Sequence, residues 1–103
     1  MLTLPIKRKW FDMIISGEKK EEYREFKPYY HKRFFNLWRG DLNGGAAKRQ
    51  IMFRAGYSKD SPSCVCTVRL ATGKGRPEWG AEPDKDYYIL KIFEVKEVIN
   101  EKL

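Results

Sequence analysis

Apolar side chains along this chain recur in two rhythms, and the switches between them mark out the elements. Leu2, Leu4 and Ile6 alternate with Thr3 and Pro5, which predicts a short first strand with proline at a strand start or edge. From Lys7 the period changes. Trp10, Phe11, Ile14 and Ile15 share one face of a helix over 7–16, and Gly17 supplies a left-handed stop. Residues 20–26 return to period two, with Glu22, Arg24 and Phe26 on one face and Glu21, Tyr23 and Glu25 on the other. Pro28 then opens a second helix carrying Tyr30, Phe34 and Leu37 at helical spacing. The stretch RGDLNGGAAKR, 39–49, reads as a polar, glycine-containing loop, and further strands are expected at 50–57, 63–71 and 86–98. Between the last two lies TGKGRPEWGAEPDKD, a long Gly/Pro-rich loop of a kind that is often functional inside a compact domain.

The order β-α-β-α followed by turn-linked strands predicts an α+β fold. Its strand-rich second half suggests a strongly curved mixed sheet or small β-barrel flanked by two short helices. The 103 residues suffice for one domain with one modest core, so 1–103 reads as a single domain. Trp10, Phe34 and Tyr88 are assigned to that core. Cys64 and Cys66 alternate in phase with Val68 and Leu70 and read as small core residues. Two thiols and one histidine, His31, fall short of the four ligands of a structural zinc site, so neither metal nor cofactor is expected. No run of about 18 apolar residues predicts a membrane span. MLTLPIKRKW lacks the order of a secretory signal, and a monomer in the reducing cytoplasm is expected.

Charge sharpens the functional question. The net charge is +7, and its distribution is one-sided: 13 Lys/Arg and 6 Asp/Glu fall in residues 1–54, against 8 and 8 in the remainder. A basic field confined to one half favours an anionic partner such as nucleic acid, a nucleotide or anionic lipid. The first helix opens on Lys7, Arg8 and Lys9 without a capping side chain or an acid in its first turn, a pattern that suits either a bound anion or plain solubility charge.

The charges nearest the first helix stop form the most informative cluster. Glu22 and Arg24 lie two apart on one strand face, and Lys19 follows the stop closely enough to reach them. A carboxylate between two cations stays ionised, and the group keeps residual positive charge for an anionic or polar ligand. Were the cluster buried, the neighbouring cation would lower the lysine pKa, one route to an activated amine. The plain alternative is a solvated ion-pair ladder that only ties strand to helix and has small energetic value.

Gly17, Lys19, Glu22 and Arg24 together spell G-x-K-x-x-E-x-R, which resembles the signature of the ASCH domain family, whose members have a PUA-like β-barrel fold. The preceding KRKWFDMIISG resembles that family's first helix, and DYYILKIFEV its closing strand, while residues 39–80 are not matched. The resemblance implies a cleft between barrel and helices, lined by Lys19, Glu22 and Arg24, that binds RNA or a modified nucleotide. Some members are N4-acetylcytidine amidohydrolases using a lysine, a threonine and a glutamate, and another is a ribonuclease. Lys19 matches the amidohydrolase lysine, but Glu22 stands where the threonine would be, so hydrolysis would need Glu22 as a general base for water.

Two functions follow as expectations. In a binding module, phosphates meet Lys7, Lys9, Lys32 and Arg33, with Lys74 as a further candidate, and a base stacks on Tyr29, Tyr57 or Trp79. Trp79, flanked by Glu78 and Gly80, is the aromatic expected to be most exposed. In a small nucleoside hydrolase, Lys19 and Glu22 carry the chemistry, Arg24 holds the carboxylate, and Tyr57, Ser58 or Glu82 close the other side of the site.

Overall fold

The computed structural model describes residues 1–100. Along the chain lie β1 (Thr3–Pro5), α1 (Arg8–Ser16), β2 (Glu21–Arg24), α2 (Pro28–Leu37), β3 (Arg49–Arg54), β4 (Ser63–Lys74), a single 3₁₀ turn (Pro77–Trp79) and β5 (Asp86–Ile99). The strands form one mixed sheet in the order β1-β3-β4-β5-β2, with β1 parallel to β3 and every other pair antiparallel. The α+β expectation and its two short helices are met. The closed barrel is not: β1 and β2 are the sheet's two edges, and no backbone ladder joins them.

One side chain nevertheless crosses that seam. Arg24 on β2 donates through Nη2 to the Pro5 carbonyl on β1 at 2.8 Å. In a flat five-stranded sheet those edges would stand roughly 19 Å apart, far beyond an arginine's reach. The sheet must therefore curl until its edges nearly meet. Two register shifts in the β4–β5 pairing, at Val65/Cys66 and Thr67/Val68, are irregularities of the kind that sharpen twist and bend.

Hydrophobic burial places the helices. Phe11 and Ile14 of α1 and Phe34 of α2 pack with Leu4, Ile51, Phe53, Val68 and Leu90 on the inner sheet face, and Cys64 and Cys66 join them as buried free thiols. A smaller cluster of Tyr23, Ala81, Tyr87 and Ile89 lies apart from it. Of the three aromatics assigned to the core, Phe34 is buried, while Trp10 and Tyr88 are half-buried. Each of those two rings borders a polar feature: Trp10 lies against Gly80 and the Lys19 ammonium, and Tyr88 against His31.

Several boundaries move. Lys7 is the N-cap of α1 rather than its first residue, and Gly17 ends the helix at φ +85°, a conformation that costs glycine little. β2 is four residues long because Glu25 and Phe26 have no partner on β5. β3 ends at Arg54, leaving Tyr57 in a turn. β4 continues to Lys74 and pairs Gly73 with Tyr87 and Lys74 with Asp86, so the long loop shrinks to 75–85. Cross-strand hydrogen bonding, rather than apolar alternation, carries β4 through Thr72 and Gly73.

Candidate functional site

The turn after α1 delivers Lys19 inward. Gly17 reverses the chain, and the Lys19 amide donates to the Met13 carbonyl at 2.9 Å, so the side chain enters the space between α1, β2 and the 75–85 loop. There its ammonium donates to the Glu21 carbonyl at 2.6 Å and the Trp79 carbonyl at 2.6 Å, and lies 3.1 Å from Glu22 Oε1. The rings of Trp10 and Tyr23 flank it, with centroids at 5.3 and 4.9 Å. Lys19 is 1% exposed and Glu22 7%.

Strand parity does the rest. Glu22 and Arg24 point to one face of β2, and Glu22 Oε2 accepts from Arg24 Nη2 at 2.6 Å. The second guanidinium nitrogen, Nη1, reaches the Tyr30 hydroxyl on α2 at 3.3 Å. On the opposite face the Tyr23 hydroxyl donates to Glu21 Oε1 at 2.8 Å and accepts the Arg76 amide at 2.9 Å. Lys19, Glu22 and Arg24 thus form a buried chain of cation, anion and cation with one net positive charge.

Burial pulls the Lys19 ammonium below its ordinary pKa of 10.5, and Glu22 offsets only part of that. Burial acts the same way on Arg24, but Glu22 and Tyr30 together outweigh it and hold the guanidinium above its ordinary value. Lys19 also has three N–H bonds and three acceptors, so its donors are fully engaged.

Of the three, Arg24 lines the clefts beside the triad, while Lys19 borders a separate cleft of about 410 Å³ with Ile14, Gly17, Phe93 and Val95. With Tyr30, Arg24 forms the shared wall of two clefts. One, about 520 Å³, is bounded by Pro5, Ile6, Lys7, Arg8, Gly56 and Tyr57. The other, about 300 Å³, is bounded by Tyr23, Lys27, Gly80, Glu82, Lys85 and Tyr87. Both volumes fall in or at the edge of the range of small-ligand sites. Tyr57, 91% exposed, stands at the rim of the larger one.

The remaining residues singled out from sequence are dispersed. Lys7 lies in the wall of the larger cleft, whereas Lys9, Ser58 and Lys74 line neither. Lys9 sits over the Trp10 ring at 4.6 Å, Ser58 accepts the Asp60 amide at 3.1 Å, and Lys74 pairs with Asp86 at 3.3 Å. Trp79 is half-buried rather than exposed. Its ring packs on the second cluster beneath Arg76, and its carbonyl holds Lys19. Tyr29 is exposed, with Arg33 stacked 3.4 Å from its ring centroid.

Tyr30 escaped sequence reasoning as a site residue. Its helical spacing with Phe34 marked it as core, and it does stack on Phe34. Its hydroxyl, however, ends at Arg24. The 75–85 loop is fastened over the triad by Lys19 to Trp79, by the Arg76 amide to Tyr23 and by the Glu82 amide to the Tyr87 hydroxyl at 3.0 Å. Gly75 is needed where the loop passes Tyr23, since a Cβ there would lie 2.6 Å from the ring.

The Tyr23 hydroxyl gives this loop a pH signature. Burial pushes its pKa above the ordinary 10, so the folded protein keeps a proton that the unfolded chain releases. Its stabilising contribution is whole below pH 10 and lost above it, at about 1.4 kcal/mol per pH unit. Lys19 has the opposite sign. Its lowered pKa adds stability as pH rises, and that gain is complete near 10.5. Urea melts between pH 10.5 and 12 should therefore show a steeper fall for the wild type than for Tyr23→Phe. Parallel slopes would contradict this account.

Compared with family models, curated proteins and solved structures, the chain finds no match. No helix among the described residues is long and apolar enough to cross a membrane. No group of three or more His, Cys, Asp or Glu side chains suited to a metal ion occurs among them either.

Proposed function

We propose that this is an ASCH-type binding protein that takes RNA or a modified nucleotide in the clefts on either side of Arg24. The observation that carries this reading is the buried Lys19–Glu22–Arg24 chain, which spends its charges internally except at the Arg24 edge. There a fixed guanidinium, the Tyr30 hydroxyl and the basic residues Lys7 and Arg8 face a cleft of nucleotide size, with Tyr57 at its mouth. Arginine in a fixed fork suits a phosphate or a base edge, and an exposed tyrosine suits stacking. The G-x-K-x-x-E-x-R spacing supports the same reading.

Hydrolysis stands second. A lysine with three engaged donors and no solvent access would first have to leave the Trp79 and Glu21 carbonyls, and that unfastens the loop. Turnover on a panel of N4-acylated cytidines is expected to be absent in the wild type; turnover abolished by Lys19→Ala would favour catalysis instead.

The test of binding is fluorescence anisotropy with labelled single-stranded RNA, and competition by nucleoside monophosphates, across a salt series. Affinity should fall with a log–log slope of about −0.7 per phosphate contacted. Binding that ignores salt, or no binding of any RNA or nucleotide, would remove the proposal.

A further inference from the structure

A further groove does not contain the triad. It measures about 790 Å³ and runs along the other flank of α2, bounded by Pro28, His31, Phe35, Trp38, Arg39 and Tyr88, with Lys32 and Leu70 also in its wall. Four of its twelve lining residues are aromatic: Phe34, Phe35, Trp38 and Tyr88. Phe35 is 69% exposed, and Phe26, next to the groove's N-terminal end, packs edge-on against Tyr88 at 4.8 Å.

Charge separates this groove from an ordinary apolar hollow. Some exposed cations are matched, Arg8 with Asp12, Lys27 with Glu25, Lys74 with Asp86, and Lys85 with Glu25 and Glu82, while others, such as Lys20, Lys59 and Lys96, form no ion pair among the described residues. Lys32 and Arg39, both in the groove's wall, form no ion pair among the described residues. The one carboxylate in the wall, Asp41, is turned away from that role. It accepts the amides of Asn43, Gly45 and Ala47 at 3.0, 2.7 and 2.9 Å, and these N–H groups hold its pKa below the ordinary value.

The groove begins one residue along the chain from the wall of the proposed site. Lys27 bounds the smaller cleft beside Arg24, its neighbour Pro28 bounds the groove, and α2 separates the two. From Pro28 at the N-terminus of α2 to Arg39 the path is roughly 16 Å long, from the helical rise per residue. That length accommodates several successive nucleotides. Unpaired cations beside an exposed aromatic ring, here Phe35, are a pattern by which single strands are held without reading their sequence.

We infer that the α2 groove is a second contact surface of the same site, and that the ligand is a single-stranded polynucleotide that continues past Arg24 around the start of α2, rather than a free nucleotide. This rests on the binding reading above. Bases would stack on Phe35, and phosphates would meet Lys32 and Arg39.

The experiment compares nucleoside monophosphates with labelled single-stranded RNA of two, four and eight nucleotides, on wild type, Phe35→Ala and Lys32→Gln/Arg39→Gln. Wild-type affinity should rise with length. Each groove variant should lose about tenfold on the octamer, with unchanged monophosphate affinity. The double variant should flatten the salt slope by about 1.4, two phosphate contacts at 0.7 each. Phe35→Trp should restore octamer binding, separating stacking from damage to the fold, and matching circular dichroism and melting curves check the latter directly. If length has no effect and the groove variants bind the octamer like wild type, the inference fails and the Arg24 site stands. Should neither monophosphates nor RNA bind, both fall. Groove-dependent binding of poly-glutamate in preference to RNA would overturn the polynucleotide in favour of an acidic protein partner.

Discussion

Replacing Glu22 with alanine is expected to lower the folding free energy by about 3–5 kcal/mol, the range for stripping one partner from a buried ion pair. Among the described residues Glu22 is the only anion touching both the Lys19 ammonium and the Arg24 guanidinium, at 3.1 and 2.6 Å. Without it two cations share one nearly dry site. Lys19 would keep its two carbonyl acceptors, which satisfy hydrogen bonds but not charge. The loss should show as a lower urea midpoint at unchanged m-value. It should also shrink as pH rises toward 10.5, because a folded-state lysine relieved of its proton no longer carries the uncompensated charge. A loss below about 1 kcal/mol would place the triad with exposed ion pairs and undo the case for a rigid, charged floor.

Arg24→Lys should weaken RNA or nucleotide binding by about 10- to 100-fold, equivalent to about 1.4–2.8 kcal/mol, while leaving the protein folded. The substitution keeps a positive charge beside Glu22, so the buried carboxylate stays matched. It removes the planar fork that reaches Glu22, the Pro5 carbonyl and the Tyr30 hydroxyl at once. An ammonium on a flexible stem cannot hold all three and still present a fixed donor to the cleft. Because Arg24 also spans the seam between β1 and β2, some melting temperature should be lost as well. The decisive readout is the ratio of the two effects. Wild-type affinity in a folded Arg24→Lys variant would remove Arg24 from the ligand site.

Much of the site was legible because it is local. A glycine stop, a lysine two residues on, and a carboxylate and guanidinium at strand parity are short-range facts, and the polypeptide's own geometry brings Lys19, Glu22 and Arg24 to one corner. Parity likewise separated Glu22 and Arg24 from Glu21 and Tyr23, and those two pairs do form hydrogen bonds on opposite faces. Trp79 was misread for a reason of the same kind. A tryptophan in a Gly/Pro-rich stretch looks exposed when the partners that clamp its loop, Lys19, Tyr23 and Tyr87, lie far along the chain. Tyr30 was read as core because periodicity reports where a ring lies, not where its hydroxyl ends.

The sequence by itself determined the alternation of helices and strands, the two-faced β2 and the concentration of positive charge in the first half, since each follows from neighbours within a few residues. Only the tertiary structure decided that the sheet stays open with Arg24 across its seam, that Lys19 is sealed while Arg24 faces the clefts, and that Lys32 and Arg39 lie unmatched in the wall of the α2 groove. Those outcomes depend on how strands remote in sequence pair and how loops close over them. No local pattern encodes such long-range choices.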